Sequence, residues 1–142
     1  MARKVKPITI GEVKETAHVL AQKHLSFNEP IPQFETRNPH ILESCLATPF
    51  QSFGGQDLYK GLTGKAAMLF YLMIKNHPFQ NGNKRVSLTS LLILLAKNNK
   101  WLKVDNTEFY NFARWVAESN PKLKDETVKA IEKFIKTYMV NL

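Results

Sequence analysis

"TGKAAMLFYLMIKNHPFQNGNKRVSLTSLLILLAKNN", residues 63–99, decides the fold. Its two flanks, 63–76 and 83–99, are apolar on nearly every face in their middles, and helices of that kind belong at the centre of a bundle. Between them "HPFQNGNKR", 77–85, gathers a histidine, two asparagines, a glycine, a lysine and an arginine. His77 closes the first helix, Pro78 resists its continuation, residues 80–82 supply a turn, and Asn83 opens the second helix. A loop held between two buried helices is held rigidly.

Working outward, "TIGEVKETAHVLAQKHL", 9–25, has Thr9 and Glu12 in capping-box spacing, with Val13, Ala17, Leu20 and Ala21 on one side of a predicted helix. "NPHILESCLATP", 38–49, has Asn38 as cap and Pro39 in the first turn, and ends at Pro49. "NTEFYNFARWVAESN", 106–120, and "DETVKAIEKFIKTYMV", 125–140, are amphipathic and pack around the central pair, with their Met and aromatic residues read as core. Two stretches break the helical pattern. "PFQSFGGQDLY", 49–59, places Gly54 and Gly55 between short extended runs, as in a hairpin flap, and "WLKV", 101–104, reads as a short strand. The expectation is an all-α bundle with two buried central helices and a small β-hairpin flap, in one domain over 1–142.

The first fifteen residues have no apolar run suited to a signal peptide, and no apolar stretch is long enough to span a bilayer, so a soluble, cytoplasmic protein is expected. The lone Cys45 permits no internal disulfide and sits on an apolar helix face, as a buried inert thiol would. Net charge is +8, and its position is informative. From Leu58 to Val104 there are eight basic residues (Lys60, Lys65, Lys75, Lys84, Arg85, Lys97, Lys100, Lys103) and no Asp or Glu, while the remaining 95 residues balance at 12 against 12. The excess is either a solvated basic face or an attraction for phosphate.

The loop favours phosphate. Glycine lets backbone approach a ligand, and the first amides of a helix have no intrahelical acceptor, so Gly82, Asn83, Lys84 and Arg85 form an anion cradle. Lys84 and Arg85 add full charges. His77 beside them suggests proton transfer, since a neutral imidazole accepts a hydroxyl proton near physiological pH. Phe79 points into the core and pins the loop.

With those residues in view, "HPFQNGNKR" resembles the signature of the Fic/Doc superfamily, and Lys-Arg after the asparagine resembles its Doc (death-on-curing) branch; "LESCLATPFQSFGGQDLY" and "KAAMLFYLMIKN" extend the resemblance to roughly residues 40–100. The resemblance implies an all-helical fold and transfer of a phosphate-containing group from ATP or another nucleoside triphosphate, with Mg²⁺, to a protein Ser or Thr hydroxyl. It implies His77 as general base, Gly82, Asn83, Lys84 and Arg85 on the phosphates, and the flap residues Ser52, Phe53, Gly54 and Gly55 as the place where the target chain docks. AMP-transferring Fic enzymes have glycine where this chain has Lys84 and a second arginine where it has Leu88. The Doc branch implies instead γ-phosphate transfer, a translation elongation factor as target and a small antitoxin as partner. AMP transfer is the alternative. The family's metal-holding carboxylate is replaced here by Asn81, so an idle binding protein is the other alternative, with Asp57 the nearest compensating acid.

Other readings are weaker. "GGQ", 54–56, is shared with peptide release factors, but "DLYKGL" follows it and a balanced helix ends the chain. A general nucleic-acid binder would show a helix-turn-helix, zinc spacing or exposed aromatics, so no specific nucleic acid is expected. His18, His24, His40 and His77 do not spell a metal cluster, and neither a Walker loop nor a protein-kinase signature is present.

Overall fold

The computed structural model describes residues 4–24 and 30–142. It opens with α1 (Ile10–Glu12), which continues through a π-helical turn (Val13–Ala17) into α2 (His18–His24). The capping box forms reciprocally: Thr9 Oγ1 accepts from Glu12 N at 3.1 Å, and Glu12 Oε1 accepts from Thr9 N at 2.8 Å. Val13, Ala17 and Ala21 are buried as their spacing predicts. Leu20 is not: it is 36% exposed, and His18 is buried instead. The π-turn is the cause, because its wider pitch rotates everything after it and a count at 3.6 residues per turn loses the face.

Asn38 Oδ1 accepts from Ile41 N at 3.1 Å and starts α3 (Pro39–Ala47), which tightens into a 3₁₀ turn (Thr48–Phe50). The flap follows. β1 (Ser52–Phe53) and β2 (Gln56–Asp57) pair antiparallel, Ser52 opposite Asp57 and Phe53 opposite Gln56. Gly54 and Gly55 have φ of +60° and +79°, the pair of left-handed residues that a two-residue type I′ turn requires.

The centre is as the sequence predicts. In α4 (Gly61–Lys75) every residue from Gly64 to Ile74 is buried, and α5 (Asn83–Lys97) buries Val86 to Leu91 together with Leu94 and Leu95. These two helices pack on each other, α7 (Lys124–Tyr138) covers α4, and α6 (Asn106–Glu118) covers α5 and α4. The outer helices join the core through aromatic rings, with Phe112 stacked on Phe134 at 4.1 Å and Phe70 against Phe109 at 5.8 Å. Trp115 departs from its core reading and is half exposed. Phe109, Ala113 and Val116 take the inner face of α6, and Trp115, two positions beyond Ala113, lies on the opposite side.

A second two-stranded sheet pairs β3 (Lys100–Leu102) with β4 (Met139–Asn141). The helix read to Val140 therefore stops at Tyr138, where the chain extends to give β3 its ladder partner. Among the described residues, no helix is long and apolar enough to cross a membrane.

Several lysines of the basic segment turn inward. Lys65 Nζ donates to Asp57 Oδ2 and Tyr59 O, Lys75 Nζ to the carbonyls of Ala117 and Ser119, and Lys97 Nζ to Glu12 Oε1 and Pro7 O. The segment is thus not one continuous phosphate-attracting face.

Candidate active site

The end of α4 sets the site. Asn76 N donates to Leu72 O at 2.9 Å, and His77 then turns into the left-handed region at φ +50°, a position where helices commonly place glycine. A non-glycine residue there costs about 1–3 kcal/mol, which the surrounding structure must hold. His77 is exposed, whereas Pro78 and Phe79 go straight into the core. Phe79 is 4% exposed and meets Phe34 and His18 at ring separations of 5.9 and 5.4 Å, with His18 and Phe34 5.5 Å apart. The anchoring role read for Phe79 is thus a three-ring contact that reaches back to α2. Burial holds the His18 imidazole below its ordinary pKa, so the ring is neutral, and its Nε2 is enclosed without a partner.

Asn83 fixes the other end of the loop. Its Oδ1 accepts from Phe79 N at 2.9 Å and its Nδ2 donates to Phe79 O at 2.8 Å. That orients the carboxamide, and Nδ2 also lies 3.4 Å from His77 Nδ1. Since Nδ2 can only donate, Nδ1 faces it with a lone pair, and Nε2 carries the hydrogen of the neutral ring. The Asn83 side chain, read as a phosphate ligand, is committed to the loop; what it leaves at the helix start is backbone.

Gly82 precedes α5 at φ +80°, and no side chain caps that helix. A β-carbon there would sit 2.9 Å from Ile31 Cγ1, so only glycine fits both the backbone and the space. Asn81 is exposed and its Oδ1 accepts from Gly82 N at 2.8 Å, an arrangement internal to the turn. Lys84 is partly buried in the first turn of α5, and Arg85 is 3% exposed and already engaged in a polar contact of its own. The predicted cradle thus assembles as an uncapped helix start with Lys84 beside it and Arg85 beneath.

The residues present do not make a carboxylate-held magnesium site. Asn81 brings no charge and faces its own turn, while Asp57, the compensating acid considered above, pairs with Lys65 at 2.9 Å. His40 and His77 line one cleft, but His18 is buried behind Phe79. Among the described residues no group of three His, Cys, Asp or Glu is placed to hold a metal. Burial pushes the Cys45 thiol up to about 11, in keeping with an inert side chain.

Every flap residue from Gln51 to Leu58 is exposed, Phe53 at 81%. The hairpin therefore does not serve as a cover for the core. It is tied down from below, because Lys65, 5% exposed on α4, reaches Asp57 at 2.9 Å and Tyr59 O at 2.6 Å. The glycines of "GGQ" are both consumed by the type I′ turn, which gives that tripeptide a structural reason for its composition.

Three positions escape sequence reasoning. Lys65 reads as one more lysine of a basic run, while Arg37 and His40 flank the Asn-Pro cap of α3 without motif spacing; both line a cleft of about 520 Å³ with His77.

Comparison with protein families then assigns the chain. A family model described as Fic/DOC family matches residues 7–95, which spans α1 to the last turn of α5, and the chain belongs to that family. Searches of curated proteins and of solved structures give no match. Members of the family are typically protein-modifying transferases that use nucleotide substrates.

Proposed function

We propose that this protein transfers the γ-phosphoryl group of ATP, or of a related nucleoside triphosphate, to a Ser or Thr hydroxyl of another protein. The observation that carries the reading is Lys84 in the first turn of the uncapped α5, next to a strained and exposed His77. The amides at that helix start, with the charges of Lys84 and Arg85, hold phosphate oxygens. The neutral imidazole of His77 takes the proton of the acceptor hydroxyl. The hydroxyl oxygen bonds to the γ-phosphorus, the bond from that phosphorus to the β–γ bridging oxygen breaks, and the nucleoside diphosphate leaves with the electron pair. No protein carboxylate assists with a metal in this scheme. The charge on the phosphates is met by the helix start and the two basic side chains.

The Doc-like Lys84 and Leu88 favour γ-transfer over AMP transfer. The same likeness extends the proposal to a growth-inhibiting protein that acts on a translation elongation factor and is restrained by a small antitoxin. Incubation with lysate and ATP labelled separately at the α and γ positions tests the reaction. Label should pass from the γ position alone, and His77→Ala should lose it while keeping the fold. Transfer from the α position alone would establish AMP transfer instead, and none from either would leave a nucleotide-binding protein without transfer. Expression without a partner should slow growth, and unimpaired growth would sink the toxin reading.

A further inference from the structure

The cleft beside His77 has two walls. One is the turn His77 to Gln80; the other is Thr36 to His40, leading into α3. Asn38 N donates to Pro78 O at 2.8 Å and stitches the walls together. No residue of α5 lines the cleft, so the helix start that faces phosphate and this cleft lie on different sides of the loop, with His77 at the junction.

Its chemistry is one-sided. Arg37, His40 and His77 line it, and no Asp or Glu does. Arg37 is held in place, with its guanidinium 4.1 Å above the Phe34 ring and Nη1 donating to Phe34 O at 3.4 Å. Phe34 in turn packs on Phe79, so the guanidinium is registered to the loop that carries His77. Among the described residues no carboxylate pairs with Arg37; the nearby Glu35 pairs with Lys14 at 3.8 Å. A positioned arginine and an exposed histidine in a cleft without acids form a seat for an anion.

We propose that this cleft selects the acceptor: it binds an acidic side chain lying close in sequence to the Ser or Thr that receives the phosphoryl group. The identification of the anion as part of an acceptor rests on the transfer reading above. With the nucleotide phosphates at the start of α5, the cleft on the far side of His77 faces the other reactant, and Arg37 with His40 sets its preference for Asp or Glu.

Two arms test this, using the whole chain. In the first, the His40 Cε1–H resonance is followed while a hexapeptide with Ser between two Glu residues, its Ser-between-Gln counterpart, or ATP is added. The Glu peptide should shift it saturably, and the Gln peptide and ATP should not. A shift with ATP and none with the Glu peptide would assign the anion to the nucleotide, and no shift with any of them would remove the site; either result overturns the proposal. In the second arm, wild type should phosphorylate the Glu peptide about tenfold better than the Gln peptide by kcat/KM, and Arg37→Gln should erase most of that preference. The exposed His40→Glu variant, which leaves the Arg37 and Phe34 packing intact, should turn the preference towards a Lys-flanked peptide. Equal preferences in wild type and both variants would overturn the proposal. If no phosphoryl transfer occurs at all, the first arm still decides, because peptide binding at His40 does not require the reaction.

Discussion

The carboxamide of Asn83 closes on the main chain of Phe79 from both sides, accepting from its N–H and donating to its carbonyl, and the second hydrogen of the same Nδ2 is directed at His77 Nδ1. One side chain thus sets the shape of the loop and the tautomer of its histidine. Asn83→Asp tests both roles. A carboxylate cannot donate to Phe79 O or to His77, so the imidazole should move its hydrogen to Nδ1 and donate to the new carboxylate. Nitrogen-15 NMR of His77 should show hydrogen on Nε2 in the wild type and on Nδ1 in the variant. The lost bond to Phe79 O should lower stability by about 1–3 kcal/mol in denaturant unfolding.

Gly82→Ala meets two obstacles, a left-handed φ and Ile31 Cγ1 at 2.9 Å. The variant should lose about 1–3 kcal/mol and weaken nucleotide binding, because the helix start shifts. Ile31→Ala removes the neighbour but not the dihedral. If the double variant Gly82→Ala with Ile31→Ala is no better than the sum of the singles, the clash is not part of the penalty.

Lys65→Met should separate stability from flap order. Asp57, its partner, is itself largely exposed, so no buried charge is stranded and global stability should change by less than about 1 kcal/mol. Amide exchange in Gln51 to Leu58 should nevertheless accelerate several-fold, because the buried cation is what ties the hairpin to α4. Unchanged exchange would show that the backbone ladder alone holds the flap.

His18 predicts an acid limb in stability. Burial depresses its folded pKa below the ordinary value of 6.5, so the unfolded chain binds the extra proton first. Its stabilising contribution is complete above pH 6.5 and is lost as pH falls below that value, until the folded ring also protonates. Thermal melts at pH 7.5 and 5.5 should differ more in the wild type than in His18→Phe. An equal pH effect in both would assign the acid limb to other groups.

Asn81→Asp places a carboxylate at the exposed turn beside the uncapped helix start. Nucleotide binding should then respond more strongly to Mg²⁺, read as a lower apparent metal requirement in a titration. No change would indicate that the turn, still closed by the Gly82 amide, does not present the side chain to the phosphates.

The central architecture was legible because α4 and α5 are apolar all round, a pattern few other packings accept, and because Thr9, Asn38 and Pro39 carry capping chemistry that acts locally. The loop was legible as a phosphate site for the same local reasons, since glycine and an uncapped helix start work wherever they stand. What could not be read depends on partners distant in sequence. Asn83 chose Phe79 over solvent, Asp57 was claimed by Lys65, and β4 exists only because β3 offers it an edge. Arg37 and His40 meet His77 through the bond between Asn38 and Pro78, which no spacing announces. Leu20 was misplaced because a single wide turn is invisible to a periodicity count.

That wide turn over Val13–Ala17 has a consequence for how the family can vary. Removing one residue from it would restore regular helical pitch, swing Leu20 inward and carry His18 out from beneath Phe79. The loop would keep every residue of its motif and lose the ring it rests on. A length change in the first helix, far from any reacting atom, is therefore a route by which a chain with an intact signature could drift into inactivity.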